Sequence, residues 1–292
     1  MTMLLIAVMT VLFSLQSLFC KLFSERNSGS SAAMTSTVFS IAYGAFAGVV
    51  TWALAGFRFS ASPWTLGFGA ANAVMLLLYN TAMIRASRGG SYSFQMICSL
   101  FGGVLVPLLH EVLFLGGALS ARQLAAIGAM LAAFVLMNLK GLSLRGSSGR
   151  FLLWCGALFF SNGMYGILMN WQQRLLQGAE RSEMIILTFF GMALIYAVWQ
   201  GIRDGGALLR GFRLKPGPLI CLALCCVCAT AAAHLMLYLL TEVSASVLYT
   251  IDNGGVLVLS VLYSCILFKE KLTLTQKAGI VLSVAAIVAL SV

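Results

Sequence analysis

The chain contains the five-residue stretch GGVLV twice, at residues 102–106 and again at residues 254–258. Two weaker matches flank both copies in the same order along the chain. They are LLLY at 76–79 with LMLY at 235–238, and a Leu-Ser or Leu-Thr pair followed by Gln at 119–123 and 272–276. One such match is weak, but three in the same order indicate an internal duplication. We therefore divide the chain into a first repeat, residues 1–145, and a second repeat, residues 146–292.

Both copies of GGVLV lie within long apolar runs. Apolar residues make up 61% of the chain and charged residues 9%, whereas an ordinary soluble domain carries about 25% charge. So much apolar surface requires lipid as the solvent. A membrane-spanning helix needs about 20 mostly apolar residues, and ten stretches meet this requirement. They are Met3–Phe23, Ala32–Gly56, Pro63–Ile84, Tyr92–Leu115, Ala121–Leu139, Phe151–Trp171, Glu183–Ile202, Gly217–Leu240, Ser244–Phe268 and Thr275–Leu290.

Each repeat holds five predicted helices, which is an odd number. The second repeat therefore enters the membrane upside down relative to the first. The sequence predicts an all-α integral membrane protein whose ten transmembrane helices form two inverted five-helix repeats. Secondary transporters use such repeats and bind substrate near the bilayer midplane, at the repeat interface. The continuously apolar runs exclude a transmembrane barrel, whose strands are shorter and alternate in polarity.

The remaining sequence excludes several classes of function. The longest hydrophilic segment, Arg203–Lys215, leaves no room for an extramembrane domain. The net charge of +10 is spread over short segments between the apolar runs, where basic residues anchor helices, so we expect no nucleic-acid binding. The eight cysteines are interpreted as packing residues. No nucleotide, dinucleotide or zinc-protease motif is present, and we therefore expect no cofactor, no metal site and no enzyme activity.

Asp252 is the only carboxylate deep inside a predicted span. A charge at that depth is unfavourable by roughly 2.5–3.5 kcal/mol on insertion scales, so it usually has a function or a partner. We expect Asp252 to bind a cationic group of the substrate or to carry a coupling proton. The alternative is that Asp252 pairs with Asn253 and nearby backbone and only fixes helix packing.

Glycine pairs lie at corresponding positions of the two repeats. Gly254 and Gly255 follow Asn253 directly, and Gly102 and Gly103 are their counterparts in the first repeat. Such pairs can break a helix and expose backbone groups to a cavity, which makes the four glycines hinge candidates. Alternatively, they only let neighbouring helices approach closely. The sequence leaves both alternatives open.

Other polar residues are candidates for a substrate-binding site with Asp252. Tyr249 and Asn253 are its neighbours on predicted helix 9, and Tyr249, three residues earlier, shares its helical face. The further candidates are Tyr92 and Gln95 of predicted helix 4, Asn162 and Tyr165 of predicted helix 6, and Gln16 of predicted helix 1. Each alone is better explained by a packing hydrogen bond. Together they would supply polar groups to an otherwise apolar cavity.

His234 is the only histidine deep inside a predicted span. Tyr238 and Glu242 follow at four-residue steps and share its helical face. The three residues could relay a proton towards the surface, so His234 joins Asp252 as a proton-coupling candidate. The alternative, which we favour, is a packed neutral histidine that donates to a backbone carbonyl.

The segment between predicted helices 9 and 10 resembles a known family signature. It runs KEKLTLTQ at residues 269–276, followed by Gly279, and is similar to the glutamate, leucine-threonine, glutamine, glycine pattern of the drug/metabolite transporter (DMT) superfamily, in its EamA-like branch. The first repeat lacks the glutamate and has Gly117 there. The resemblance implies that helices 1–4 and 6–9 surround a central cavity and that helices 5 and 10 lie outside it. A homodimer through helices 5 and 10 is left open, and the family shares no substrate motif.

These features predict a secondary active transporter in the cell (inner) membrane. It would move a small polar or amphipathic metabolite (an amino acid, an amine or a drug-like molecule) by alternating access, with or without proton coupling. Its partners would be that small-molecule substrate and membrane lipids. The alternatives are a lipid-linked-sugar flippase of the same fold and, less favoured, a membrane-embedded enzyme.

Basic residues are distributed unevenly between the two sides of the predicted bundle. The side that carries both termini has Arg58, Arg122, Arg174 and Arg181, and every other Lys and Arg lies on the opposite side. Because Lys and Arg in short loops favour the cytoplasm, this bias predicts that both termini lie outside. The family resemblance points to cytoplasmic termini, and we favour the charge bias.

Overall fold

A computed structural model describes residues 2–27, 31–87, 92–114, 116, 120–139, 148–211, 214–268 and 273–291. Within these residues the chain forms ten α-helices and no strand, which confirms the all-α prediction and the helix count. The helices are α1 (Thr2–Arg26), α2 (Ala32–Leu54), α3 (Pro63–Ser87), α4 (Tyr92–Phe114), α5 (Ala121–Asn138), α6 (Gly149–Leu175), α7 (Arg181–Gly211), α8 (Pro216–Leu239), α9 (Ala245–Phe268) and α10 (Leu274–Ser291).

Six helices are long and apolar enough, by length and composition, to cross a membrane. Their apolar segments are Thr2–Ser24, Ala33–Leu54, Pro63–Ala86, Gly149–Leu175, Arg181–Arg203 and Pro216–Leu239. The other four helices contain shorter apolar segments within the described residues, at Cys98–Phe114, Ala121–Leu136, Val247–Leu259 and Leu274–Ala289. Large apolar side chains such as Leu153 and Ile202 are exposed, as lipid-facing residues are. The protein is a multi-pass membrane protein.

One element of the sequence repeat is a helix cap in both repeats. Before α5, the Ser120 hydroxyl accepts a hydrogen bond from the Gln123 amide at 3.2 Å, and the Gln123 side chain accepts one from the Ser120 amide at 3.0 Å. Before α10, Thr273 and Gln276 make the same two bonds, at 3.3 and 3.0 Å. Such a capping box satisfies amide groups that have no partner inside the helix. The threonine and glutamine of the family-like signature therefore have a structural role.

The helices pack in a pattern that relates the two repeats. α1 lies against α8, and α6, which corresponds to α1 in the second repeat, lies against α3. α2 packs on α7, α4 on α9 and α5 on α10, so each of these helices contacts its own counterpart. A two-fold relation between the repeats would produce these pairs. The packing supports the inverted-repeat arrangement, which remains a prediction.

α5 and α10 form a pair at the side of the bundle. They pack mainly on each other and join the remaining helices through α4 and α9. Leu124 of α5 and Val281 of α10 are exposed on this pair. The position agrees with the expectation that helices 5 and 10 lie outside the central cavity, and a homodimer through them stays a prediction.

Candidate functional site

A cavity of about 120 Å³ lies between helices of both repeats. Its walls come from α1, α2, α3 and α4 of the first repeat and from α6, α8 and α9 of the second. This is the set of helices that the family resemblance implies, except that α7 contributes no described residue to the wall. The cavity contains most of the side chains that the sequence marked as candidates.

Asp252 of α9 is the charged residue of the cavity. Its side chain lines the wall and the residue is only 8% exposed. The Thr10 hydroxyl of α1 faces the carboxyl group, but the Oδ1 atom is buried and has no hydrogen-bond partner within the described residues. A buried polar atom without a partner is unfavourable by about 1–3 kcal/mol, and by more when the group is charged. An acceptor in this state is suited to a donor that arrives with a ligand.

Two asparagines form a polar layer around Gly103 of α4. A Cβ atom on this glycine would lie 2.7 Å from Nδ2 of Asn162 and 3.0 Å from Nδ2 of Asn253. The Asn162 Nδ2 donates to the Ser99 carbonyl at 2.8 Å, and the Asn253 Nδ2 donates to the Tyr249 carbonyl at 2.7 Å. Only glycine leaves room for both amides. The layer joins α4, α6 and α9 at the cavity wall.

Tyr249 links α9 to α6 beside this layer. Its hydroxyl donates to the Gly166 carbonyl at 2.9 Å, and the residue is buried. A Cβ atom on Gly166 would lie 2.9 Å from the Tyr249 ring, so this glycine is needed for the close approach. Tyr165, the neighbour of Gly166, also lines the cavity. Two of the three predicted tyrosines, Tyr165 and Tyr249, therefore line the cavity.

The first repeat contributes one predicted residue and two that sequence reasoning missed. Gln16 of α1 lines the cavity, and its Oε1 atom is buried without a partner in the described part of the chain. Tyr43 of α2 and Tyr79 of α3 also line the cavity but were not predicted. Tyr79 ends the LLLY match of the internal repeat, and this was the available signal. Nothing in the sequence distinguishes Tyr43 from a packing residue.

Three predicted residues do not contribute a described side chain to this cavity. The Gln95 side chain turns towards α3, where its Nε2 donates to the Met83 carbonyl at 2.9 Å. The His234 Nε2 lies 3.2 Å from the Thr51 hydroxyl, so this imidazole contacts α2 away from the cavity wall. The Tyr92 side chain lies outside the described residues. The roles of Gln95 and Tyr92 in binding, and of His234 in a proton relay, stay predictions.

The four hinge candidates lie within continuous helices. Gly102 approaches α6 so closely that a Cβ atom would be 2.1 Å from the Phe159 carbonyl oxygen. A Cβ atom on Gly254 would be 2.2 Å from the end of the Met130 side chain, and one on Gly255 would be 2.5 Å from the Thr10 methyl group. These contacts correspond to the close-approach alternative. A hinge role for Gly102, Gly103, Gly254 and Gly255 stays a prediction.

A network of polar side chains, the α6–α7 network, lies on the side of the bundle that carries the termini. Ser62 donates to Glu180 from both its amide and its hydroxyl, at 3.0 Å each. The Gln172 Nε2 donates to the Thr65 hydroxyl at 3.0 Å, and the Arg181 Nε donates to the Gln173 side chain at 3.2 Å. Hydrogen bonds from the Thr65 hydroxyl and the Ser62 amide hold the pKa of Glu180 below its usual range. The network ties α3 to α6 and α7.

A second tie on the same side joins α4 to α6. The Arg174 guanidinium at the end of α6 lies 3.8 Å from the Glu111 carboxylate near the end of α4. The Arg181 guanidinium also reaches α8, with the Thr241 hydroxyl at 3.1 Å and the Tyr238 ring at 5.4 Å. Polar side chains therefore connect helices of both repeats at this end of the bundle.

Comparison with known families identifies the second repeat. Residues 151–292 match the model of the EamA-like transporter family. The matched segment, slightly less than half of the chain, is similar to that family. The match includes the signature at residues 269–276 and confirms the EamA-like resemblance and, with it, the prediction of a DMT-type membrane transporter. EamA-like proteins are transporters, in line with the expectation that the chain is not an enzyme.

The chain also resembles a solved structure over almost its whole length. That structure, described only as "Crystal structure of protein", has 14% sequence identity and a TM-score of 0.71, and the match covers 99% of this chain and 95% of that chain. At this identity the similarity shows the fold alone. No curated protein sequence matches the chain significantly.

Proposed function

We propose that this EamA-like protein is a secondary active transporter of a small polar or amphipathic metabolite and that it works by alternating access in the cell membrane. One observation carries the proposal. A cavity between helices of both repeats contains a buried carboxylate, Asp252, with an oxygen atom that has no partner in the described residues. In a membrane interior, an ionisable group facing a cavity is typical of a substrate or ion pathway.

The cavity volume favours a small substrate. Pockets for drug-sized ligands have about 300–1,000 Å³, whereas this cavity has about 120 Å³. The head group of a lipid-linked sugar would need much more space. We therefore favour a small metabolite over the flippase alternative.

Alternating access requires that one end of the cavity closes while the other opens. The α6–α7 network and the Glu111–Arg174 pair connect helices of both repeats on the side of the termini. We assign them the role of holding that side closed. Opening would exchange these hydrogen bonds for bonds to water, and such an exchange changes the free energy by only about 0.5–1.5 kcal/mol per bond.

Asp252 provides the coupling between substrate and movement. No described side chain of the cavity wall carries a compensating positive charge, and either a cationic group or a proton would neutralise the carboxylate. The other titratable groups of the described cavity wall are Tyr43, Tyr79, Tyr165 and Tyr249. A ligand that binds one conformation better shifts the equilibrium towards it by its difference in affinity. A proton and a cationic substrate that compete for one carboxylate would exchange across the membrane.

The proposal is tested with purified protein in proteoliposomes. Uptake of labelled amines, amino acids and sugars is measured with and without an imposed pH gradient, in wild-type protein and in the Asp252→Asn variant. We expect gradient-dependent uptake of at least one compound, with loss in the variant. Glu183→Gln, the same chemical change at a half-buried residue that does not line the cavity, is the matched control. Failure to move any compound, together with movement of labelled lipid between leaflets, would support the flippase instead.

A further inference from the structure

We propose that the cavity binds a small protonated amine that carries no anionic group. The inference rests on the proposed function. It restricts the substrate of the proposed transporter from polar metabolites in general to cations with N–H donor groups. Its basis is the combination of an unpaired carboxylate oxygen, an unpaired amide oxygen and aromatic side chains around one small cavity.

The charges of the wall select a cation. Asp252 is the only charged side chain among the described residues that line the cavity, and no Lys, Arg or His accompanies it. A carboxylate removed from water needs an opposite charge or a proton to compensate the loss of hydration. A ligand with one positive charge would leave the occupied cavity neutral.

The unpaired atoms select a ligand with N–H groups. Oδ1 of Asp252 and Oε1 of Gln16 are both acceptors, both buried, and both without a partner in the described chain. Both residues line the same cavity. A protonated primary or secondary amine has N–H donors for such acceptors, whereas a quaternary ammonium group has none. Hydrogen bonds between an ammonium and a carboxylate are among the stronger ones in proteins.

Two of the four tyrosines already use their hydroxyl groups in hydrogen bonds within the wall. Their aromatic rings are therefore the parts that remain for contact with a ligand. The Tyr249 hydroxyl donates to the Gly166 carbonyl, and the Tyr79 hydroxyl is hydrogen-bonded to the Ser99 side chain. The Tyr43 ring lies 5.0 Å from the Phe189 ring, which holds it in place. Fixed aromatic rings around a desolvated site favour cations.

The described wall offers no positive charge to an anionic group. The Nδ2 atoms of Asn162 and Asn253 each use one of their two N–H donors on a backbone carbonyl, which leaves only neutral donors for an anion. A zwitterion would bring its own carboxylate into a cavity whose wall already contains Asp252 and contains no described basic side chain. Like charges at close range in a medium of low dielectric repel strongly. The cavity therefore excludes amino acids while it accepts amines.

Four probes of equal chain length test each element of this proposal on unmodified protein. They are butylamine, which is a cation at neutral pH, butanol, γ-aminobutyrate and butyltrimethylammonium. Binding to purified wild-type protein in detergent is measured by calorimetry, with no transport step. We expect butylamine to bind at least about tenfold more tightly than each of the other three. Butanol lacks the positive charge, butyltrimethylammonium lacks the N–H donors, and γ-aminobutyrate adds a carboxylate that Asp252 repels. Asp252→Asn should lower the affinity for butylamine about tenfold or more, and Glu183→Gln should not change it, because Glu183 does not line the cavity.

Every other outcome contradicts one stated part of the inference. Equal binding of butanol removes the requirement for charge, equal binding of γ-aminobutyrate removes the exclusion of anionic groups, and equal binding of butyltrimethylammonium removes the requirement for N–H donors. Absence of butylamine binding overturns the whole inference. If the same protein then transports another compound in liposomes, the proposed function survives without the inference. If butylamine binds and nothing is transported, the proposed function fails instead.

Discussion

The cavity and the α6–α7 network use similar polar groups in opposite ways. In the network, Glu180 accepts two hydrogen bonds from Ser62, and Gln172 donates to Thr65. In the cavity, Asp252 and Gln16 each have a buried oxygen atom without a partner among the described residues. A folded chain normally satisfies its buried polar groups. The paired groups therefore stabilise the fold and, in the proposed mechanism, hold that end closed, whereas the two unpaired oxygen atoms of the cavity residues are available to a ligand.

The largest effect expected from this comparison is that of Asp252→Asn. We expect transport to fall about 30-fold or more, because removal of one partner of a buried charged pair is unfavourable by about 2–5 kcal/mol. Thermal stability should stay the same or rise, since the variant no longer buries an uncompensated charge. Initial uptake rates and unfolding temperatures check the two expectations. Normal transport with an unchanged pH profile would reduce Asp252 to a packing residue.

A second comparison changes helix packing next to the cavity without changing its polar groups. Gly102→Ala would place a methyl group 2.1 Å from a backbone oxygen of α6, whereas Gly254→Ala would meet the flexible end of Met130. Overpacking that rigid neighbours cannot relieve destabilises by about 1–3 kcal/mol. We expect that loss for Gly102→Ala and less than about 1 kcal/mol for Gly254→Ala, where a side chain can move. Equal unfolding free energies would show that α4 and α6 can separate more easily than their contact suggests.

The sequence predicts where the helices of this molecule lie along the chain better than it predicts which face of each helix points to the cavity. Apolar runs of sufficient length indicate ten helices. The repeat contains Ser120 and Thr273, but their capping role emerges only from the structure. Asp252 was found because a carboxylate inside an apolar run is unfavourable in lipid. Gln95 was placed in the cavity by spacing alone, yet its amide contacts Met83.

The missed residues have a different cause. Tyr43 and Tyr79 lie in apolar helices, where a tyrosine is common both in packing and at sites. Only contacts between helices distant in sequence decide which of them faces a cavity. The spacing of two residues along the chain shows whether they share a helical face. It does not show which neighbouring helix that face contacts.

A third prediction tests the network side of the comparison. Gln172→Met keeps the volume of this fully buried side chain but removes its hydrogen bonds to Thr65 and to the Ala179 and Glu180 carbonyls, and the one that it accepts from Gln173. We expect a loss of about 1–3 kcal/mol in the free energy of unfolding, because buried partners such as Gln173 are left unsatisfied. The order of affinity for the four probes should be unchanged, because Gln172 does not line the cavity. A changed order would mean that the network shapes the binding site.

The smallest expected effect is the pH dependence that Glu180 contributes at the same end. Hydrogen bonds from Thr65 and Ser62 hold the pKa of this carboxyl below its usual range, and an unperturbed glutamate titrates near pH 4.3. A group whose pKa is lower in the folded state stabilises the fold above the pKa of the unfolded state, and this contribution is lost as the pH falls through the folded value. Glu180 is largely solvated, so the stabilisation should be about 0.5 kcal/mol or less. Unfolding of wild type and Glu180→Gln is compared from neutral pH downwards, where we expect a small deficit of the variant at neutral pH that disappears in acid. A deficit that grows in acid would have the wrong sign and would contradict the hydrogen bonds to Ser62.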